Sequence, residues 1–217
     1  MGRRSLNNAR RAARRAPHKL FSYLSEGTIT EPEYFAALLK DRHIDSKTVR
    51  HINSEKTDAK GLVEDASVYR KKNIRAAQKG DEALVDEWWV IADTEGIHGD
   101  PGNLAEALTL AKKNSIHLAL SNPAFELWLI LHYRYTTRTY LKEHEVEEDL
   151  KRIWPNYDKR NKHIQDVGIV KLVETALANA DKLRHFGEED IQNISSTDVD
   201  KFVISLFDAK AKSTAKH

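Results

Sequence analysis

The chain has 217 residues, of which 40% are hydrophobic and 31% charged, a length that suits one large domain or one domain with an appendage. It contains no cysteine, which excludes a disulfide framework, a thiolate metal site and a cysteine nucleophile, and which suits the cytoplasm. Its apolar runs, such as residues 127–131, are too short for a transmembrane helix, so we expect no membrane partner.

The N-terminus is strongly basic. The first 20 residues contain seven basic residues and no acid, whereas residues 21–217 carry 28 Lys and Arg against all 33 Asp and Glu, a net charge of −5. The arm lacks the apolar segment of a secretory signal, and three interpretations stay open: a solvated tail, a mitochondrial transit peptide and a phosphate-binding arm. The arginines predicted to bind nucleic acid in the last case are Arg10, Arg11, Arg14 and Arg15.

Short apolar segments alternate with amphipathic ones after Pro17. The predicted strands are 19–25, 48–52, 87–92 and 116–120. The predicted helices that follow them begin at Thr30 and run over 62–78, from Asn103 to about 113, and from about 123 to 133, with Thr30 and Asn103 as N-caps. Strands that alternate with helices of this length predict βαβ units and a parallel sheet.

Only helices are predicted from Tyr140 onward, over 140–154, 167–185 and 198–209, with a basic loop between the first two. We therefore expect an α/β fold, a mainly parallel sheet flanked by helices, with a helical C-terminal extension. The expected regions are a basic arm (1–17), an α/β core (18–135) and a helical region packed on that core (136–217).

Acidic residues follow two of the predicted strands. Glu26 ends the first strand, and Asp93 and Glu95 end the third. Ligands bind at the carboxyl ends of the strands in an open parallel sheet, so neighbouring strands would bring these side chains together. Three close carboxylates repel one another unless a cation binds, and Mg²⁺ prefers oxygen ligands. The alternative is that these acids are ordinary turn and capping residues.

Several segments resemble motifs of the RloB family. Residues 25–35, SEGTITEPEYF, resemble its opening EG-x-x-TE-x-x-YF motif, and residues 121–133, SNPAFELWLILHY, resemble its SNP-x-FE-x-W-x-x-x-H segment. Weaker likenesses are VIADTE at 90–95 to an acidic motif, YDK at 157–159 to a Y-x-K motif, and SST at 195–197 to the C-terminal end. Together these segments span about residues 20–207, nearly the whole body.

This resemblance implies a Toprim-like fold that uses Mg²⁺ or Mn²⁺ to cleave RNA, including tRNA, or DNA in bacterial antiphage defence, often beside an AAA/ABC-type ATPase. It places metal-binding and catalytic roles on Glu26 and Asp93. Glu95 stands where the Toprim pattern has a second aspartate, so a degenerate module that binds nucleic acid or docks on the ATPase stays open. A primase-like or topoisomerase-like enzyme is a weaker alternative, and the resemblance leaves homo-oligomerisation open.

Four further residues are candidates for the site. Glu126 is a charge within an apolar helix, so we expect it to face the metal or to fix a ligand. His132 is either a general acid or base or a core histidine. Lys159 and Arg160 are either phosphate contacts, with Lys159 also stabilising developing charge, or members of a solvated loop. No P-loop motif occurs, so ATP hydrolysis would come from a partner.

Overall fold

The computed structural model describes residues 18–95, 99–158, 164, 168–189 and 195–214. The strands are β1 (Phe21–Ser25), β2 (Val49–His51), β3 (Glu87–Asp93), β4 (His117–Asn122) and β5 (Ser196–Thr197). The helices are α1 (Thr30–Asp41), α2 (Ala59–Lys79), α3 (Pro101–Asn114), α4 (Glu126–Tyr133), α5 (Glu143–Ile153), α6 (Val173–Glu189) and α7 (Val199–Thr214). Short 3₁₀ helices occupy Ser46–Thr48 and Ile169–Leu172.

The five strands form one sheet in the order β2-β1-β3-β4-β5. The first four strands are parallel, and β5 pairs antiparallel to β4. This arrangement confirms the predicted α/β fold with its mainly parallel sheet. The expectation of helices alone after Tyr140 is wrong, because Ser196 and Thr197 pair with Asn122 and Ser121. A strand of two residues is too short to show the alternation that marks strands in a sequence.

Helix ends follow local chemistry, with two corrections to the predicted caps. The αL residue Gly80 ends α2, as its sequence indicates. Thr30 is the first residue of α1 and not its N-cap. Asp100 caps α3 by accepting a hydrogen bond from the Gly102 N–H, whereas Asn103 accepts one from the Lys60 N–H and so ties α3 to α2. No helix in the described ranges is both long and apolar enough to cross a membrane.

Apolar layers cover both faces of the sheet. Along β3, Trp89 and Ile91 face a layer that also contains residues of α1, α4 and the C-terminal helices. Trp88 and Val90 face the opposite layer, built with α2 and α3. A strand buried on both faces has a continuous apolar sequence, which explains the WWVIA run of β3. The C-terminal helices share the first layer, with Val173 and Phe202 fully buried there.

His132 lies in this core, which favours the interpretation of this residue as a core histidine over that of a general acid or base. The side chain is 1% exposed. Its Nδ1–H donates to the Trp128 carbonyl at 2.9 Å, and its Nε2 accepts from the Tyr34 hydroxyl at 3.0 Å. Burial lowers the pKa of His132 to about 4. The ring is therefore a neutral structural group whose two nitrogens are both engaged.

The buried neutral ring predicts a pH dependence of stability. The pKa of His132 is about 4 in the folded protein and rises to 6.5 on unfolding, so below pH 6.5 the unfolded state binds the extra proton. The contribution of His132 is fully present above pH 6.5 and is lost as the pH falls towards 4. We expect it to lower the free energy of unfolding by about 2 kcal/mol between pH 7 and pH 5.

Urea unfolding of the wild type and of His132→Gln at both pH values measures this contribution. The pKa of Glu26 is raised by burial and gives a slope of opposite sign, but both proteins share it. The variant should be less stable at pH 7 and should lose less stability on acidification. Equal losses in the two proteins would contradict the assignment.

Candidate functional site

A cleft of about 440 Å³ lies at the carboxyl ends of β1 and β3, beside the first turn of α1 and the starts of α4 and α5. Its walls concentrate negative charge. The carboxylates that line it are Glu26, Glu31, Asp93, Glu126 and Glu143. These residues come from four separate parts of the sequence, and the pairing of β1 with β3 brings the first two parts together at one edge of the sheet.

Glu26 and Asp93 meet because β1 and β3 are neighbours. The Asp93 N–H donates to Glu26 Oε2 at 3.0 Å, although the residues are 67 positions apart. The pKa of Glu26 is raised to about 7, mainly by burial and also by nearby Glu31, Glu95 and Glu143, while the hydrogen bond from the Asp93 N–H opposes the rise. The cleft therefore holds more negative charge than its partly buried setting favours, and a bound cation would relieve that repulsion.

Asp93, Glu126 and Glu143 form the closest acidic group in the cleft. Each offers one carboxylate oxygen, and these oxygens lie within 4.8 Å of one another. Oxygens bound to one cation at 2.0–2.6 Å can be about 3–5 Å apart, so a single ion can reach all three. Carboxylate oxygens are hard ligands, so the residues present fit Mg²⁺ or Mn²⁺.

This group differs from the predicted metal ligands Glu26, Asp93 and Glu95. Asp93 belongs to both sets and Glu26 is adjacent, but Glu95 is exposed and is not a member of the close group. Its backbone has φ 58 and its N–H donates to the Pro123 carbonyl at 3.0 Å. Glu95 lines a smaller cavity of about 100 Å³, which Asp93 also lines. Glu95 as a ligand stays a prediction, and Glu126 with Glu143 completes the observed group.

Glu126 is oriented by a hydrogen bond from a residue that does not line the cleft. It begins α4, is 2% exposed, and its Oε1 accepts a hydrogen bond from the Tyr157 hydroxyl at 2.6 Å. Tyr157 is itself 4% exposed, and burial together with the charge of Glu126 raises its pKa, so the phenol remains a donor. Tyr157 therefore fixes the direction in which Glu126 presents its carboxylate.

Sequence reasoning missed Glu143 and the role of Tyr157. Glu143 follows no strand and sits in an acidic helix start, so nothing in its surroundings singled it out. Tyr157 begins the YDK segment, but only the fold shows that its hydroxyl reaches Glu126, 31 positions earlier.

The first turn after β1 requires glycine. The Gly27 N–H donates to Glu31 Oε1 at 2.9 Å, and Glu31 is 4% exposed. A Cβ on Gly27 would lie 1.9 Å from Glu31 Oε2. The absence of a side chain at position 27 is thus what lets the Glu31 carboxylate approach the backbone.

Gly27→Ala is expected to push the Glu31 carboxylate off the Gly27 N–H and into the cleft. Losing this charge-assisted hydrogen bond should cost about 1–3 kcal/mol of unfolding free energy and should change divalent-cation affinity. Chemical denaturation with and without Mn²⁺ measures both effects. In a Glu31→Ala background the clash is absent, so Gly27→Ala should then cost little, and an equal cost in both backgrounds would contradict this account.

Six predicted nucleic-acid contacts fall in parts of the chain that the structure does not describe. They are Arg10, Arg11, Arg14 and Arg15 of the arm, and Lys159 and Arg160 of the basic loop. Their assignment stays a prediction.

A family model described as RloB-like protein matches residues 23–206. The match runs from β1 into α7 and covers the segments on which the sequence resemblance was based. No curated protein and no solved structure gives a significant match.

Proposed function

Because the chain belongs to the RloB-like protein family, we propose that it is a Toprim-type, divalent-metal-dependent nuclease that hydrolyses phosphodiester bonds in RNA, including tRNA, or in DNA. One observation carries the proposal. Carboxylate oxygens of Asp93, Glu126 and Glu143 lie within 4.8 Å of one another, beside Glu26, at the carboxyl ends of parallel strands.

The side chains of the cleft have distinct roles in this proposal. Asp93, Glu126 and Glu143 hold the ion, and Tyr157 orients Glu126. When bound, Mg²⁺ or Mn²⁺ supplies Lewis-acid stabilisation of the charge that develops on phosphoryl oxygens. Glu26 has a pKa raised to about 7, so its carboxyl group can take up or release a proton near neutral pH.

The biological setting is proposed from family membership. We place the chain as an effector of bacterial antiphage defence that works with an AAA/ABC-type ATPase. The sequence supports a separate ATPase chain, because it contains no P-loop motif of its own.

One observation favours a second candidate, a degenerate module that binds nucleic acid or docks on the ATPase without cutting. Glu95 occupies the position of the second Toprim acid, yet it is exposed and lies outside the close carboxylate group. In this alternative the cleft would bind divalent cations weakly, since one expected ligand does not converge on the ion.

Purified chain incubated with tRNA, other RNA and DNA in Mg²⁺, Mn²⁺ or EDTA tests the proposal, with calorimetry of Mn²⁺ binding alongside. We expect cutting that requires the cation and Mn²⁺ binding at submillimolar to millimolar concentration. If the chain neither binds Mn²⁺ nor cuts any substrate at millimolar Mn²⁺, even with the ATPase present, the nuclease is refuted and the degenerate module is favoured. Mn²⁺ binding without cutting of any substrate would also count against the nuclease.

A further inference from the structure

The far halves of α2 and α3 carry only positive charge. Residues 66–79 and 107–114 contain seven basic residues and no Asp or Glu, in a body that is acidic overall. The basic residues are Arg70, Lys71, Lys72, Arg75, Lys79, Lys112 and Lys113. The two helices pack side by side, and the ion pair between Lys60 and Glu106 lies near their N-terminal ends.

Four of these side chains form a stripe on α2. Lys71, Arg75 and Lys79 follow one another at intervals of four residues, and Lys72 lies three before Arg75, so all four share one helix face. All are exposed, whereas the opposite face buries Leu62, Ala66 and Ala77 against the sheet. We call Lys71, Lys72, Arg75 and Lys79 the basic stripe. Within the described ranges, no acidic side chain pairs with it.

The stripe lies on the part of α2 that is far from the cleft. Thr57, just before α2, lines the cleft. At 1.5 Å per residue, the stripe lies about 18–30 Å along α2 from its first residue, Ala59. A double helix rises about 3.4 Å per base pair, so this distance equals about 5–9 base pairs. A ligand that reaches both places must be a polymer, and the charge of the stripe requires a polyanion.

The composition of this face favours double-helical nucleic acid. Proteins that bind single-stranded nucleic acid stack its bases on aromatic side chains. The aromatic ring beside the stripe, Tyr69, is partly buried and has the Lys72 ammonium 5.4 Å from its centre, so it does not offer such a stacking surface. Lysine and arginine on a plain helix face contact phosphates without reading bases. The acidic cleft would itself repel phosphates, so binding energy for such a substrate has to come from a remote surface.

We propose that the basic stripe binds the phosphate backbone of a double-helical arm of the nucleic acid whose cleaved strand enters the acidic cleft. This inference deepens the proposed nuclease function. The entry of the cleaved strand into the cleft rests on that function, whereas the binding of the double-helical arm does not. The stripe supplies affinity without sequence preference, and the cleft supplies the chemistry.

The test compares two full-length variants of equal net charge. K71Q/K72Q/R75Q/K79Q neutralises the stripe, and K151Q/K171Q/K182Q/K201Q neutralises four exposed lysines on other helices and turns. Fluorescence anisotropy in EDTA measures binding to a 12-base-pair RNA hairpin and to a 12-nucleotide single strand of uridines. We expect the stripe variant to bind the hairpin about tenfold or more weakly than the control variant, with a salt dependence shallower by about 2–3 in log–log slope.

Equal hairpin affinity in the two variants would overturn the proposal, and so would an equal loss for the single strand. Unchanged hairpin binding with lost binding to a poly-glutamate peptide would assign the stripe to an acidic protein and would also overturn it. EDTA prevents metal-dependent cutting, so the binding result is independent of the nuclease assay. Stripe-dependent hairpin binding by a chain that cuts nothing would support the stripe while counting against the nuclease.

Discussion

Replacing Asp93 by Asn, or Glu126 by Gln, is expected to abolish metal-dependent cutting. Each change removes a negative oxygen ligand from the group whose atoms lie within 4.8 Å, while the side chain keeps its size. Losing a residue that merely supports a metal ligand typically costs 10–100-fold, so we expect more than about a hundredfold for a ligand itself. The measurements are the single-turnover cutting rate and the Mn²⁺ dissociation constant.

Stability measurements separate this effect from misfolding. Neutralising one of several crowded carboxylates relieves repulsion, so the thermal midpoint in EDTA should stay constant or rise by a few degrees. A variant that lost both activity and several degrees of thermal midpoint would indicate structural damage. Mn²⁺ should raise the midpoint of the wild type but not that of either variant, because we expect only the wild type to bind the ion tightly.

Variants of Glu143 and Glu95 distinguish the close carboxylate group from the ligand set that the sequence predicts. Glu143→Gln should impair Mn²⁺ binding and cutting, because Glu143 belongs to the close group. Glu95→Gln should leave most of the activity, because Glu95 is exposed and lines the neighbouring cavity. The reverse result would restore the set of Glu26, Asp93 and Glu95 that the strand ends suggested.

The sequence predicts those parts of the fold that depend on neighbouring residues. Strand β3 is visible as an apolar run, and the end of α2 is visible as Gly80. The sequence predicts Asn103 as the N-cap of α3 because asparagine caps helices well, but Asp100 is the cap. Asn103 instead bonds to the start of α2, a tertiary contact that no local pattern records. The two-residue β5 was missed for the same reason, since its partner β4 lies 76 positions earlier at Ser121.

Some residues of the candidate site can likewise be predicted from the sequence, whereas others depend on tertiary packing. Parallel neighbouring strands place Glu26 beside Asp93 wherever the rest of the chain goes, so strand-end reasoning could place them together. Glu143 reaches the cleft only through the way α5 packs on α4, which depends on many side chains at once. The sequence also leaves open whether His132 is a core residue or a general acid or base. The hydroxyl that hydrogen-bonds to its Nε2 belongs to Tyr34, 98 positions away, and no local pattern records that contact.

Tyr157→Phe is expected to weaken Mn²⁺ binding by about 10–100-fold while leaving the carboxylate group intact. The change removes only the hydroxyl that donates to Glu126 Oε1 at 2.6 Å. Glu126 then loses the contact that fixes its direction, so binding the ion must also order this carboxylate. Because the ligands themselves remain, cutting should recover at high Mn²⁺ concentration, which a loss of the ligand itself would not allow.

Tyr140→Phe provides the matched control. Tyr140 is also buried and its hydroxyl donates to a carboxylate, that of Asp149 on α5, but neither residue lines the cleft. Each variant should lose about 1.5–3 kcal/mol of unfolding free energy, the usual range for a hydrogen bond to a charged group. Only Tyr157→Phe should shift the Mn²⁺ titration of the cutting rate. Two results would contradict this role: an equal shift of the Mn²⁺ titration in both variants, or a loss of stability in Tyr157→Phe with no shift of the titration. Tyr157 would then be a structural residue, and Glu126 would not depend on it for its position at the ion.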